Sequence, residues 1–584
     1  MDGVQGNSRK LDRVEDCLRS MDGRLRVLEQ WITNSETRKK QEFVAMQPGC
    51  PAVPNSRYCE VCYVSGHQAA ECRSKARMGM RLILLLLLLL VVATQAGLPD
   101  LKGKVNDLKN DLKSKVKDLG SKIKNATVAK FKKFKDALEN TGIEKLKSKL
   151  SAFKDKLKKK LQMTKEQAAE VAQKLKEVMK RRDPPGNSTA KTISEINAEK
   201  KVVSKMFQGD MALSRTQVNG IIDSMDGRQK RQVYKDMTRL WKSGVFYDFD
   251  EGIDFKTKDV FRQGAKKWEE VTCINFTESK TAGDKIVVIK SNGCWSLLGR
   301  NGSEQPLSLG DGCVHVGIVV HELGHALGLF HPMSRYDRDN YIKILLENVR
   351  EDFVDQFAIY GADFLDTYDQ PYDYDSTMHY GAIGASHNRQ PTMLAEDVNY
   401  QESMGSYILS FFDIYTINKH YNCFDRCENV GHKAQCANGG FPHPRNCSKC
   451  ICPNGYGGDL CDRRPEGCGK DLSATDRLQS LVSKMQEYSY TIKDDFEMCY
   501  YWIKAPTGKK VEVTIRQISY GFGIDGCIYG GVELKPFVNA TKSGYRFCSH
   551  NDKEKVVMSE GERMVVTIFG RAPRMQTILM YKAV

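Results

Sequence analysis

Residues 321–339 read HELGHALGLFHPMSRYDRD, and the rest of the chain is organised around this stretch. Within it His321, Glu322, His325, Gly328 and His331 fit H-E-x-x-H-x-x-G-x-x-H. Positions four apart on a helix share a face, so His321 and His325 present two imidazoles to one point. Such a pair can hold one zinc ion, and Glu322 sits beside it, placed to take a proton from the water that the ion activates. Gly328 lets the chain turn out of the helix, because glycine tolerates positive φ. His331 can then return as a third ligand. Three ligands with an open position make the catalytic, not the structural, zinc arrangement. A histidine-bearing core helix is the plainer alternative, and the full eleven-residue pattern argues against it.

A second signal lies downstream, Ser376-Thr377-Met378-His379-Tyr380. A Met-containing turn is what a metzincin places beneath its zinc.

A chain of 584 residues should hold several domains. Its net charge of +16 raises the question of nucleic acid or an anionic surface. Much of the excess, however, lies in residues 102–182, where Lys recurs about every third position. Five of the nineteen cysteines precede residue 80 and fourteen follow residue 272. An even number at short spacings points to a disulfide-bonded, extracellular segment.

Residues 1–77 read differently. Leu11, Val14, Leu18, Met21, Leu25, Leu28 and Ile32 make a short coiled-coil seam that Gly23 weakens. Cys59, Cys62, His67 and Cys72 have the spacing of a zinc knuckle, resembling retroviral nucleocapsid modules that bind single-stranded nucleic acid. This segment would hold a second, structural zinc; free or scattered cysteines are the alternative. Next, the basic Arg77–Arg81 run leads into the apolar run Leu82–Val92 and small residues to Ala96, which reads as a secretory signal peptide, residues 78–96. The apolar run is too short to cross ~30 Å of hydrocarbon as a helix, so no stable membrane anchor is expected. A signal peptide works at the start of a chain, so translation of the functional product is expected to begin at Met78 or Met80. Residues 1–77 would then be a gene-model fusion or belong to another product.

Residues 97–231 read as a propeptide. Leu101, Val105, Leu108, Leu112, Leu119 and Ile123 recur at helical spacing, and no proline interrupts Leu101 to Arg182. The basic face is most simply solvated; membrane or polyanion binding is the sharper alternative. Asp183-Pro184-Pro185-Gly186-Asn187 breaks the pattern. In Phe207-Gln208-Gly209-Asp210 a flexible glycine beside a carboxylate could deliver that carboxylate to the zinc. Arg228-Gln229-Lys230-Arg231 is the kind of run that secretory convertases cut, which would leave Gln232 as the new N-terminus.

With these motifs together, residues 232–423 resemble the astacin family of zinc metalloproteases, and the later segments most resemble its nematode members. The resemblance implies an α+β metzincin fold with His321, His325 and His331 on zinc. Glu322 would be general base and then proton donor, and Met378 the floor under the metal. Tyr380 matches a tyrosine that ligates zinc at rest and swings away to bond the oxyanion, and Asp210 would be the aspartate switch of a zymogen. It also implies the pairs Cys273–Cys423 and Cys294–Cys313. One residue departs from the pattern. The family usually has Glu after the third histidine, contacting the mature N-terminus, and here it is Pro332. That latch cannot form in the usual way.

Residues 424–462 carry six cysteines and are too short to bury a large core, so disulfides must carry stability. The segment resembles an EGF-like module, which implies Cys427–Cys447, Cys436–Cys450 and Cys452–Cys461. Sequence alone permits about fifteen connectivities for six cysteines. Residues 468–584 alternate in β-branched runs such as Val511–Ile515 and Met564–Phe569, suggesting an antiparallel sandwich. They resemble a CUB domain, implying Cys468–Cys499 and Cys527–Cys548 and contacts with protein partners. Asn125, Asn187, Asn275, Asn301, Asn446 and Asn539 head glycosylation tripeptides.

The expectation is therefore a multidomain secreted zymogen, with a helical propeptide, an α+β peptidase domain, a disulfide-rich module and an all-β sandwich. It would be released by a convertase and cut extracellular proteins. The rivals are a catalytically silent extracellular binding protein and a nucleic-acid-binding protein led by the zinc knuckle. The signal peptide and the downstream cysteines argue against nucleic acid as the mature product's partner.

Overall fold

The computed structural model describes residues 142–181, 191–225, 237–360, 366–486, 489–519 and 522–584. The coiled-coil seam, the Cys59–Cys72 knuckle, the signal peptide, the Arg231–Gln232 cut, Asn125 and Asn187 lie outside them.

Seven helices are described: α1 (Ile143–Lys160), α2 (Lys165–Arg181), α3 (Ile193–Glu199), α4 (Arg215–Met225), α5 (Phe255–Val271), α6 (Val316–Leu327) and α7 (Phe411–His420). No helix among the described residues is long and apolar enough to cross a membrane.

The first four helices come from the segment before Arg231. Ile143, Leu146 and Leu150 recur on one face of α1 and pack on Val218 and Ile221 of α4, around Phe207 and Met211. Thr192 caps α3, accepting from the Glu195 amide while the Glu195 carboxylate returns to the Thr192 amide.

A six-stranded sheet follows, in the spatial order 211–212, 294–297, 304–309, 285–289, 245–249, 276–278. Its pairs are parallel except 294–297 against 304–309. The strand Lys285–Ile289 is buried throughout, as a central strand requires. Asp254 caps α5 by accepting from the Thr257 amide at 2.9 Å. Val260, Phe261, Ala265 and Trp268 then form its buried face, and the Trp268 indole donates to the Val320 carbonyl of α6 at 2.9 Å. A second apolar cluster holds Met333, Ile342, Ile344, Phe353, Phe357, Tyr374 and Tyr380.

Residues 427–461 hold three disulfides, Cys427–Cys447, Cys436–Cys450 and Cys452–Cys461, around the short ribbon Phe441–His443/Asn446–Ile451. Arg445 fastens this ribbon to the end of α5, donating to the Thr272 and Ile274 carbonyls and to the Asn275 side chain. Two further disulfides, Cys273–Cys423 and Cys294–Cys313, lie in the sheet-bearing part.

The C-terminal residues form two packed sheets. One has the order 471–473, 497–504, 563–570, 530–535, 545–547, and the other 479–485, 575–583, 511–518, 556–558. Both runs singled out by alternation lie in strands, Val511–Ile518 and Arg563–Gly570. Their inward residues, among them Val513, Ile515, Val566 and Ile568, make one apolar core, with Cys468–Cys499 and Cys527–Cys548 as staples.

The sandwich is tied to the sheet-bearing part by a buried cation. Arg546 donates to Asp375 at 2.8 Å, Glu533 at 3.2 Å and the Ser406 hydroxyl at 2.6 Å. Removing one member of a buried ion group strands the others and costs about 3–5 kcal/mol. Arg546→Met should therefore lower the calorimetric unfolding midpoint by several degrees, with Arg546→Lys in between. An unchanged midpoint would mean that water replaces the guanidinium freely.

Candidate active site

Helix α6 is apolar along most of its length and fully buried, so its polar residues His321, Glu322 and His325 enter a dry interior. It ends at Gly328, whose φ of 109° lies in the left-handed region and whose amide returns to the last turn. The chain then doubles back and brings His331 to the first two histidines. The ring centroids lie 4.7 Å (His321–His325), 4.8 Å (His325–His331) and 5.5 Å (His321–His331) apart.

The outer ring nitrogens decide the tautomers. His321 Nδ1 lies 2.7 Å from the Thr377 carbonyl, and His325 Nδ1 lies 2.8 Å from the Leu329 carbonyl. A carbonyl only accepts, so both Nδ1 atoms donate. His331 Nδ1 faces Gln208 Oε1 at 3.1 Å. Burial holds His325 and His331 below the usual imidazole range, His331 at about 4, against the opposing pull of Asp210. Rings that donate from Nδ1 turn their Nε2 atoms inward, and those of His321 and His325 stand 3.1 Å apart.

Into this convergence comes Asp210. Its carboxylate oxygens lie 3.3 Å from His321 Nε2, 3.5 Å from His325 Nε2 and 3.3 Å from His331 Nε2. Three ring nitrogens and a carboxylate thus converge on one point, a donor set that a divalent cation takes. His331 Nε2 and Asp210 Oδ1 are buried without hydrogen-bond partners among the described residues. Three imidazoles and one carboxylate in a closed group of four suit zinc.

The turn that delivers Asp210 is built by its neighbours. Phe207 and Met211 exchange backbone hydrogen bonds at 2.7 and 3.0 Å, so residues 208–210 form a tight loop. Gly209 has φ of 85°, and a Cβ there would stand 2.5 Å from the Tyr380 hydroxyl, so only glycine fits. The Tyr380 hydroxyl donates to the Gln208 carbonyl. Asn197, buried on α3, donates to the Gly209 carbonyl at 3.0 Å.

Glu322 is fully buried and neither carboxylate oxygen has a hydrogen-bond partner among the described residues. Burial, and then the charge of Asp210, push its carboxyl well above the usual range. The Met378 turn is held by Asp413, which accepts from the Ser376 hydroxyl at 2.6 Å and the Thr377 amide at 2.8 Å.

The structure thus brings together His321, Glu322, His325, His331, Met378, Tyr380 and Asp210. Pro332 opens a short 3-10 turn, Pro332–Ser334, and is half-buried. Asn275, Asn301, Asn446 and Asn539 are exposed, with Asn275 Oδ1 engaged by Arg445. Gln208, Asn197 and Asp413 were not singled out from sequence. Only the position of Gln208 beside Gly209-Asp210 could have flagged it.

A model of the Astacin peptidase family matches residues 233–422. Zinc metalloproteinase nas-31 of Caenorhabditis elegans is 42 % identical over 403 residues, which is 67 % of this chain and 66 % of the relative. Zinc metalloproteinase nas-29 of the same organism is 34 % identical over 418 residues, covering 66 % of this chain and 77 % of the relative. Among solved structures, High choriolytic enzyme 1, a hatching enzyme zinc-protease from Oryzias latipes (medaka), is 31 % identical. The match covers 32 % of this chain and 91 % of that one, with a TM-score of 0.29.

Proposed function

The chain belongs to the astacin family of zinc metalloproteases, and from that premise we propose that it is a secreted zinc endopeptidase made as a zymogen. The observation that carries the reading is the inward convergence of three imidazole Nε2 atoms on one carboxylate, with the unpartnered Glu322 beside them.

His321, His325 and His331 would hold the ion. When bound, zinc would supply Lewis acidity, bringing the pKa of a water down to ~7 and polarising the scissile carbonyl. Glu322 accepts the water proton at its carboxylate as the new oxygen–carbon bond forms. It holds that proton out of bulk water and passes it to the leaving nitrogen as the carbon–nitrogen bond breaks. Tyr380 donates its hydroxyl proton in a hydrogen bond to the carbonyl oxygen as negative charge grows there. In the uncut chain that hydroxyl is engaged by the Gln208 carbonyl and Asp210 faces all three ligands, so both functions are blocked until the propeptide leaves. A convertase cut after Arg231 is the proposed release. The disulfide-rich and sandwich segments, read as EGF-like and CUB modules, would carry contacts with extracellular proteins.

The direct test is expression from Met80 with convertase processing, then cleavage profiling on a peptide library with and without a zinc chelator. A processed, zinc-loaded chain that cuts nothing would favour the silent binding protein. Tyr380→Phe should lower kcat about 10²-fold with KM little changed, because one oxyanion donor is lost. Steady-state kinetics at equal zinc content read this, and a change confined to KM would assign Tyr380 to binding.

A further inference from the structure

The aspartate turn is not the only place where the N-terminal helices grip the rest of the chain. Helix α2 ends in Arg181, whose side chain is 8 % exposed at the seam between the sheet-bearing part and the sandwich. Its Nε donates to Asp552 Oδ1 at 2.7 Å, and one Nη donates to the Val398 carbonyl at 3.0 Å. The other Nη lies 4.0 Å from Glu402 Oε1. The guanidinium carbon stands 5.2 Å from the centre of the Phe547 ring.

This is a built site rather than a surface ion pair. The Asp552 side chain is 0 % exposed, and its second oxygen accepts from the Ser549 amide at 3.0 Å. Glu402 is also buried, with Oε2 accepting from the Cys548 amide at 2.7 Å. Both carboxyl groups are fixed by backbone amides; Asp552 accepts from the guanidinium, whereas burial and then the charge of Asp552 push Glu402 well above the usual carboxylate range, beside an Nη with no hydrogen-bond partner among the described residues. Two separated N–H donors aimed at two acceptors, with a flat cation near an aromatic ring, suit arginine; a lysine ammonium is a point charge. The walls come from two parts of the molecule, Val398 and Glu402 from one and Phe547 and Asp552 from the other.

Arg181 lies upstream of Arg231, with no disulfide joining it to the rest among the described residues, so a cut at Arg231 frees it to leave. What stays behind is a recess lined by two adjoining carboxyl groups, a carbonyl and an aromatic face. We propose that this seam is a guanidinium-binding pocket outside the active cleft, filled by the propeptide's Arg181 before processing and by an arginine side chain of an extended protein substrate afterwards. The proposal rests on the peptidase reading above.

The test uses the processed enzyme with two substrates, casein and a short arginine-free peptide. Nα-acetyl-arginine methylamide should raise KM for casein several-fold and leave the short peptide unaffected, whereas the lysine analogue should do neither. Asp552→Asn should raise KM for casein similarly and cut the short peptide at the wild-type rate. A casein KM indifferent to both changes overturns the proposal. Failure of the wild type to cut the short peptide sinks the peptidase reading instead. Should Asp552→Asn not fold, Arg181→Ala in the precursor probes the pocket from the other side. Once the Arg231 bond is cut, the freed propeptide should dissociate about 10-fold faster than wild type, since a charge-assisted contact is lost. An unchanged rate overturns the pocket.

Discussion

Glu322→Gln is expected to lower kcat of the processed enzyme about 10³-fold while one zinc stays bound per chain. Glutamine has the shape of glutamate, so the buried space beside His321 and His325 remains filled and the ligand geometry is not disturbed. It cannot take a proton. In this structure the carboxylate has no other engagement, since both oxygens are without partners among the described residues. A buried group held that way is not stabilising the fold, and the neutral amide should be tolerated at least as well. Stability is therefore expected to hold or rise while turnover collapses. Zinc content by atomic absorption separates a lost base from a lost metal. A variant that keeps more than a tenth of wild-type turnover with zinc bound would remove Glu322 from the proposed chemistry.

The core of the site was legible because it is local. His321, Glu322, His325, Gly328 and His331 lie within a few turns of one another, so helical periodicity and a left-handed glycine suffice to bring them together. The alternation in Val511–Ile518 and Arg563–Gly570 likewise shows through, because side chains on alternate positions meet different surroundings. Asp210, Tyr380 and the Cys273–Cys423 pair depend on distant partners and showed only through the family resemblance, and contacts outside its motifs do not show at all. Asp413 holds the Met378 turn through Ser376, 37 residues away. An aspartate three residues after a serine at the start of a helix looks like a capping residue, which it also is. Nothing in the sequence around Arg546 or Arg181 marks them, yet both are buried against carboxylates that no spacing rule connects to them. Gln208 contributes a backbone carbonyl as well as a side chain, and a carbonyl leaves no mark on sequence.

Asp210→Ala, made where the cut is blocked by Lys230→Ala and Arg231→Ala, should give an uncut chain that turns over a short peptide about 10- to 100-fold faster than the blocked parent. The carboxylate lies within 3.3–3.5 Å of all three histidine Nε2 atoms, so it holds the position that substrate needs. Contacts to a charged group of this kind are worth about 1.5–3 kcal/mol, and their loss shifts the balance between docked and undocked turn by about one to two orders of magnitude. Alanine at 210 leaves the rest of the anchor in place. Phe207 is still buried with Met211 and Tyr360, Asn197 still holds the Gly209 carbonyl, and Tyr380 still meets the Gln208 carbonyl. Activity should accordingly stay below that of the processed enzyme, and Gln208→Ala added to Asp210→Ala should raise it further, because the side chain facing His331 goes with it. Asp210→Asn keeps the shape without the charge and should fall between parent and alanine. If the blocked chain stays silent with alanine at 210, the turn shuts the cleft by its backbone and Arg181 and α1 hold it there. The carboxylate would then be a passenger in the latch.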